Sequence, residues 1–138
     1  MIIAVDFDGT IVRHRYPEIG DEIPFAIDTL KLLQQKGHQL ILWTYRSGKE
    51  LDKAVEYCKN NGIEFYAINK SYPEEVLSGN ISRKINADIF IDDRNIGGLP
   101  DWGDIYMQIT GVSETDYLSK RDTGKKGFSQ LLKNIFEK

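Results

Sequence analysis

Cysteine is almost missing from this chain. One residue in 138, Cys58, rules out an internal disulfide. It falls among apolar neighbours in a helical pattern, with no histidine close by in sequence, and reads as a buried, inert thiol. An excess of one charge is lacking as well: 18 Lys and Arg stand against 21 Asp and Glu, a net −3 at pH 7. That balance does not point to a polybasic surface for nucleic acid or an anionic membrane, and it leaves local patches open. No long apolar segment is present, and no charged run precedes Ile2, so neither a membrane span nor a signal peptide is expected. Together these absences lead to the expectation of a reducing, cytoplasmic setting. Repeats, low-complexity tracts and interdomain linkers are also absent.

What is present is an ordinary globular composition, 41% hydrophobic and 28% charged, long enough for a single domain over residues 1–138. Apolar runs at 2–5, 39–44, 63–68 and 87–91 predict strands. Between them, 24–36 and 49–60 carry helical periodicity, closed by Gly37 and by Asn61-Gly62. Pro24 suits a first helical turn. Residues 11–22 form a loop or small hairpin, and 69–83 a loop with at most a short helix. Asp101 suits the cap of a helix using Trp102, Ile105, Tyr106 and Ile109. A short helix near 115–118 and an amphipathic one over 126–138 complete the chain. Strands alternating with helices predict an α/β fold, a mostly parallel sheet with helices on both faces.

Two of the apolar runs end in carboxylates. The first delivers Asp6-Phe7-Asp8-Gly9-Thr10, the fourth Asp92-Asp93. Strand alternation sets Asp6 and Asp8 on one side of the backbone, where like charges call for a cation. Hard oxygen ligands suit magnesium rather than zinc. The bland alternative is solvated acids at a turn. The second run ends in Thr44, with Arg46 just beyond, and Lys84 leads into the fourth.

In this order the four motifs resemble those of phosphatases of the haloacid dehalogenase superfamily. The resemblance spans about two-thirds of the chain. It implies a three-layer, Rossmann-like core over about 1–110, and a C-terminal extension over about 111–138. It also implies a magnesium-dependent phosphomonoesterase. Asp6 matches the nucleophile that becomes an aspartyl-phosphate, and Asp8 the general acid/base. Thr44 matches the hydroxyl that binds the phosphoryl group; its other reading is a cap of the next helix, and both roles can hold together. Lys84 matches the phosphate-stabilising base, with Arg83 and Lys70 as competitors.

Asp92 and Asp93 match the acids that complete the metal site of Asp6 and Asp8. By that analogy Asp93 is preferred as direct ligand and Asp92 as the water-mediated one, with the reverse order open. The backbone carbonyl of Asp8 is expected as a further ligand. Arg46 either forks onto substrate or is a surface arginine on a loop. Arg13, His14 and Arg15 lie where the family carries a flap, although a solvated loop histidine is the plainer reading of His14. Trp43 and Trp102 fall in core patterns.

The short intervals between motifs leave no room for a cap domain. An open site of that kind goes with a macromolecular substrate, or with a small phosphorylated one covered by a second copy of the chain. Rival readings are a phosphatase of a nucleic-acid terminus or phosphoprotein, a receiver-like phosphoacceptor module, and a non-catalytic binding protein. The receiver is disfavoured because no acid ends the third strand.

Overall fold

The structure, a computed structural model, describes residues 1–113, 115, 116, 118 and 119. The chain divides into two compact units, Met1–Pro100 and Asp101–Lys138.

The first unit is built on a four-stranded, all-parallel sheet of β1 (Ile2–Val5), β2 (Gln39–Leu42), β3 (Ala67–Ile68) and β4 (Ile89–Ile91), in the order β3-β2-β1-β4. Helix α1 (Ala26–Gln35) connects β1 to β2, and α2 (Gly48–Asn60) connects β2 to β3. Unbroken aliphatic runs suit central parallel strands, which are buried on both faces. The register shows it. Ala4, Ile41 and Ala67 pair across one face and pack with Ile85, while Ile3 and Val5 pair with Leu40 and Leu42 on the other. All of these are buried.

The sheet fixes where ligands fit. From β1 the chain runs through α1 to β2 on one side, but β4 lies on β1's other side. The crevice at the carboxyl ends of β1 and β4 is therefore the topological switch point, the usual binding position in open α/β sheets.

Several elements are shorter than expected. Of the strand over 63–68 only Ala67–Ile68 pairs, because Ile63 closes α2 by donating to the Cys58 carbonyl at 2.9 Å. Residues 69–83 hold no helix, and 11–22 form a loop with single bridges from Val12 to Asp8 and to Glu22. Helix α1 begins after Pro24, with Phe25 as its cap residue at φ 70°.

In the second unit α3 (Trp102–Thr110) buries Trp102, Ile105 and Tyr106, a helical stripe. Asp101 holds the cap position but makes no side-chain cap bond. Gly111 ends α3 in the left-handed conformation. Residues 115, 116 and 118 are helical, 117 lies outside the described residues, and so does the helix expected over 126–138. Among the described residues no helix is long and apolar enough to cross a membrane.

Candidate active site

Beyond Val5 the backbone N–H of Asp6 still donates to the Ile91 carbonyl at 3.0 Å, so β1 and β4 reach the crevice side by side. The chain then coils. The Phe7 carbonyl accepts from Thr10, Ile11 and Val12, and Gly9 sits at φ +83°, a conformation that disfavours any residue with a Cβ. A Cβ there would also run into His14 Nε2 and the Asp93 carboxylate.

This coil separates the two acids of the first motif. Asp6 joins Asp92 and Asp93, with one carboxylate oxygen from each lying within 4.8 Å of the others. The Asp8 carboxylate is not in that cluster. It turns to Arg46, accepting from Nε at 2.7 Å and Nη2 at 2.8 Å. Alternation placed both acids on one side of a strand, but the strand ends at Val5 and the rule ends with it.

Three converging carboxylates shift one another. Burial, then the charge of Asp92 and the neighbouring Asp93, pushes Asp6 up to about 7. Burial works against ionisation of Asp93 as well, but hydrogen bonds with His14, Asp6 and Asp92 outweigh it and lower its pKa. His14 Nε2 lies 2.9 Å from Asp93 Oδ2. Thr10 ties the strands together: its hydroxyl accepts from the Asp93 N–H at 3.1 Å and lies 3.3 Å from Asp6 Oδ2. Such an all-oxygen, crowded donor set fits a hard divalent cation.

Arg46 is buried, its side chain 1% exposed. Besides Asp8 it donates through Nη1 to the Pro17 carbonyl at 3.1 Å and the Glu50 carbonyl at 3.4 Å, and through Nη2 to the Glu18 carbonyl at 2.7 Å. A guanidinium has five N–H groups, and all five are engaged. Its Cζ also lies 5.1 Å from the centroids of both the Phe7 and Tyr16 rings. Arg46 is thus no surface arginine, and no donor is left over for a substrate. It clamps Asp8, the 16–18 loop and the start of α2.

Thr44 lies where expected, at the cavity, but does not cap α2. Its Oγ1 accepts from the Arg46 N–H at 3.1 Å, while Ser47 holds the cap position. Its own N–H donates to Asn69 Oδ1 at 2.8 Å, and Asn69 sits at φ 54°, which asparagine tolerates. Lys84 is not brought to the site. It is exposed, with its ammonium 5.9 Å from the Phe90 ring centroid, and neither it nor Arg83 or Lys70 lines the cavity. The cations that do are Arg46 and Arg94. The cavity measures about 560 Å³, and Trp43, half-buried against the core, forms part of its wall.

No family model and no curated protein matches the sequence. Among solved structures it is similar to a conserved protein from Bacteroides thetaiotaomicron, with 65% identity, a TM-score of 0.76, and coverage of 80% of this chain and 90% of that one. The chain belongs to that protein's family. The likeness carries the α/β fold of this family; that relative is described only as conserved, with no activity named.

The residues that sequence reasoning passed over are Thr10 and the pairing of His14. The threonine stood inside the first motif, which was its signal. Nothing local marked His14, because its partner Asp93 is 79 positions away.

Proposed function

We propose that the chain is a magnesium-dependent phosphatase of the haloacid dehalogenase type, hydrolysing a phosphomonoester through an aspartyl-phosphate on Asp6. One observation carries this reading: Asp6, Asp92 and Asp93 converge at the switch point, and Asp6 and Asp92 line a cavity there together with Thr44 and Asp8. Asp6, Asp92 and Asp93 would hold the magnesium, which when bound supplies charge neutralisation for Asp6 and the phosphoryl group. A three-layer core without a cap domain belongs to the same reading, supported by the parallel β-α-β connections.

Each step falls to a residue of the chain. An Asp6 oxygen attacks phosphorus, and the bond from phosphorus to the leaving oxygen breaks. Asp8, which must enter the cycle protonated, gives that oxygen its proton, then regains one from the water that hydrolyses the intermediate and releases phosphate. The fork from Arg46 fixes the Asp8 carboxylate, and each of its oxygens keeps a second lone pair for that proton. The Thr44 hydroxyl is available to a phosphoryl oxygen. Lys84 does not fit its expected role in this conformation, and Arg94, exposed at the cavity, is the better-placed cation.

The test is hydrolysis of an aryl phosphate by the purified chain with magnesium, with EDTA, and with Asp6→Asn. Turnover that needs magnesium and disappears in the variant supports the proposal. Full activity in Asp6→Asn would remove Asp6 as nucleophile.

A further inference from the structure

The cavity above the carboxylates has walls that phosphate chemistry alone does not call for. Tyr16, Trp43 and Tyr45 all line it, two of them the chain neighbours of Thr44 and the third from the 11–22 loop. Tyr45 directly follows Thr44 and is 102% exposed; Tyr16 is 61% exposed. Large rings held in water beside a candidate reaction centre offer flat faces for another ring.

Tyr16 is also preorganised. The Arg46 guanidinium lies against its ring at 5.1 Å and is itself fixed by Asp8 and by the Pro17 and Glu18 carbonyls. Much of the ring remains exposed to the cavity. The carboxylates of Asp6, Asp8 and Asp92 and the Thr44 hydroxyl also line the cavity, and the proposed reaction uses them. Arg46 is fully engaged and His14 is paired with Asp93, while Arg94 is exposed and, among the described residues, its side chain has no hydrogen-bond or ion-pair partner, which makes it an adaptable polar group of the wall. A volume of about 560 Å³ exceeds what a phosphate needs and lies in the range of small-molecule sites.

We infer that the phosphate taken by this site is carried by a nucleoside, whose base stacks on Tyr45 and Tyr16 while its phosphate meets Asp6 and Thr44. The inference rests on the phosphatase reading and names its substrate class. Free mononucleotides and the phosphorylated ends of single strands share this chemistry, since every base offers a π face.

The experiment compares kcat/KM of the full chain with magnesium on a purine nucleoside monophosphate, a short end-phosphorylated oligonucleotide, glycerol phosphate, glucose 6-phosphate and phosphotyrosine. Nucleotide phosphates should lead. Removing one stacking ring by Tyr45→Ala should cut the nucleotide value by about 5- to 150-fold, collapsing the preference over glycerol phosphate, and Tyr45→Phe should restore it. The mononucleotide and oligonucleotide arms separate the two sources. Leading turnover of phosphotyrosine or a sugar phosphate, or a nucleotide preference that survives loss of both Tyr45 and Tyr16, overturns the inference. If nothing is hydrolysed, the phosphatase reading fails by itself, and calorimetric titration of the nucleoside monophosphate decides the stacking site. Binding that Tyr45→Ala weakens upholds it, and no preference over glycerol phosphate overturns it.

Discussion

Replacing Arg46 by alanine should be among the most damaging single changes in the Met1–Pro100 unit. The side chain is 1% exposed, and its loss strands the Asp8 carboxylate, which is 15% exposed, together with three backbone carbonyls. Removing one partner of a buried pair costs about 3–5 kcal/mol. Water reaches Asp8, which argues for the lower half of that range, while the abandoned carbonyls and the lost packing against Phe7 and Tyr16 push the other way. In a chain of this size the melting temperature should fall by about 10 °C or more. Arg46→Lys keeps a charge but cannot fork to both Asp8 oxygens, so it should recover under half of the loss. A urea double-mutant cycle with Asp8→Asn should return a coupling of about 2 kcal/mol or more. The 16–18 loop gives an independent readout. Freed from its grip on Pro17 and Glu18, the segment holding the exposed Arg13 and Arg15 should be cut faster by trypsin. An Arg46→Ala protein that melts with the wild type and resists trypsin equally would refute the clamp.

Folded Asp6 keeps its proton up to about 7 instead of the ordinary 3.8, so between those values the folded state binds more protons than the unfolded and stability falls as pH rises. Magnesium at one fixed concentration, a hundredfold its Kd at pH 8 and there worth about 2.7 kcal/mol of stabilisation, should therefore raise the melting temperature more at pH 8 than at pH 5, where protonation of Asp6 weakens its binding; equal shifts would argue against binding at Asp6. Gly9→Ala should cost about 2–4 kcal/mol and weaken magnesium binding measured by calorimetry, since φ +83° and the collision with His14 and Asp93 act together. Burial pushes the Cys58 thiol up to about 12, so at pH 8 a thiol reagent should label the native protein negligibly and the urea-unfolded protein at one site. Labelling at equal rates in both states would contradict the buried position.

The central strands and the acids at their ends were legible because the signals are local. An aliphatic run followed by carboxylates marks both the strand and its exit, as at Val5-Asp6 and Ile91-Asp92. Edges were less legible. Residues 63–66 have strand-like composition, yet Ile63 is taken by the end of α2, and hydrogen bonding to β2 starts only where the Tyr66 N–H donates to the Leu40 carbonyl at 2.7 Å. The roles of Arg46 and Thr10 depend on partners 38 and 83 positions away, which no window of sequence contains. Lys84 failed for the complementary reason: a lysine preceding a strand is common on any surface, and here it lies over Phe90 instead of the cavity.

The position of β1 in the sheet has a consequence for how the protein is made. It is synthesised first, yet both of its neighbours come later, β2 within the next forty or so residues and β4 only near residue 90. At ribosomal rates of about 5–20 residues per second, Asp6 waits for several seconds before Asp92 and Asp93 emerge. Through that interval one edge of β1 is an open row of backbone groups, the kind that recruits foreign strands. The arrival of β4 closes the edge and assembles the carboxylate cluster in one event, so a cation that needs all three carboxylates could be held only once the sheet is complete.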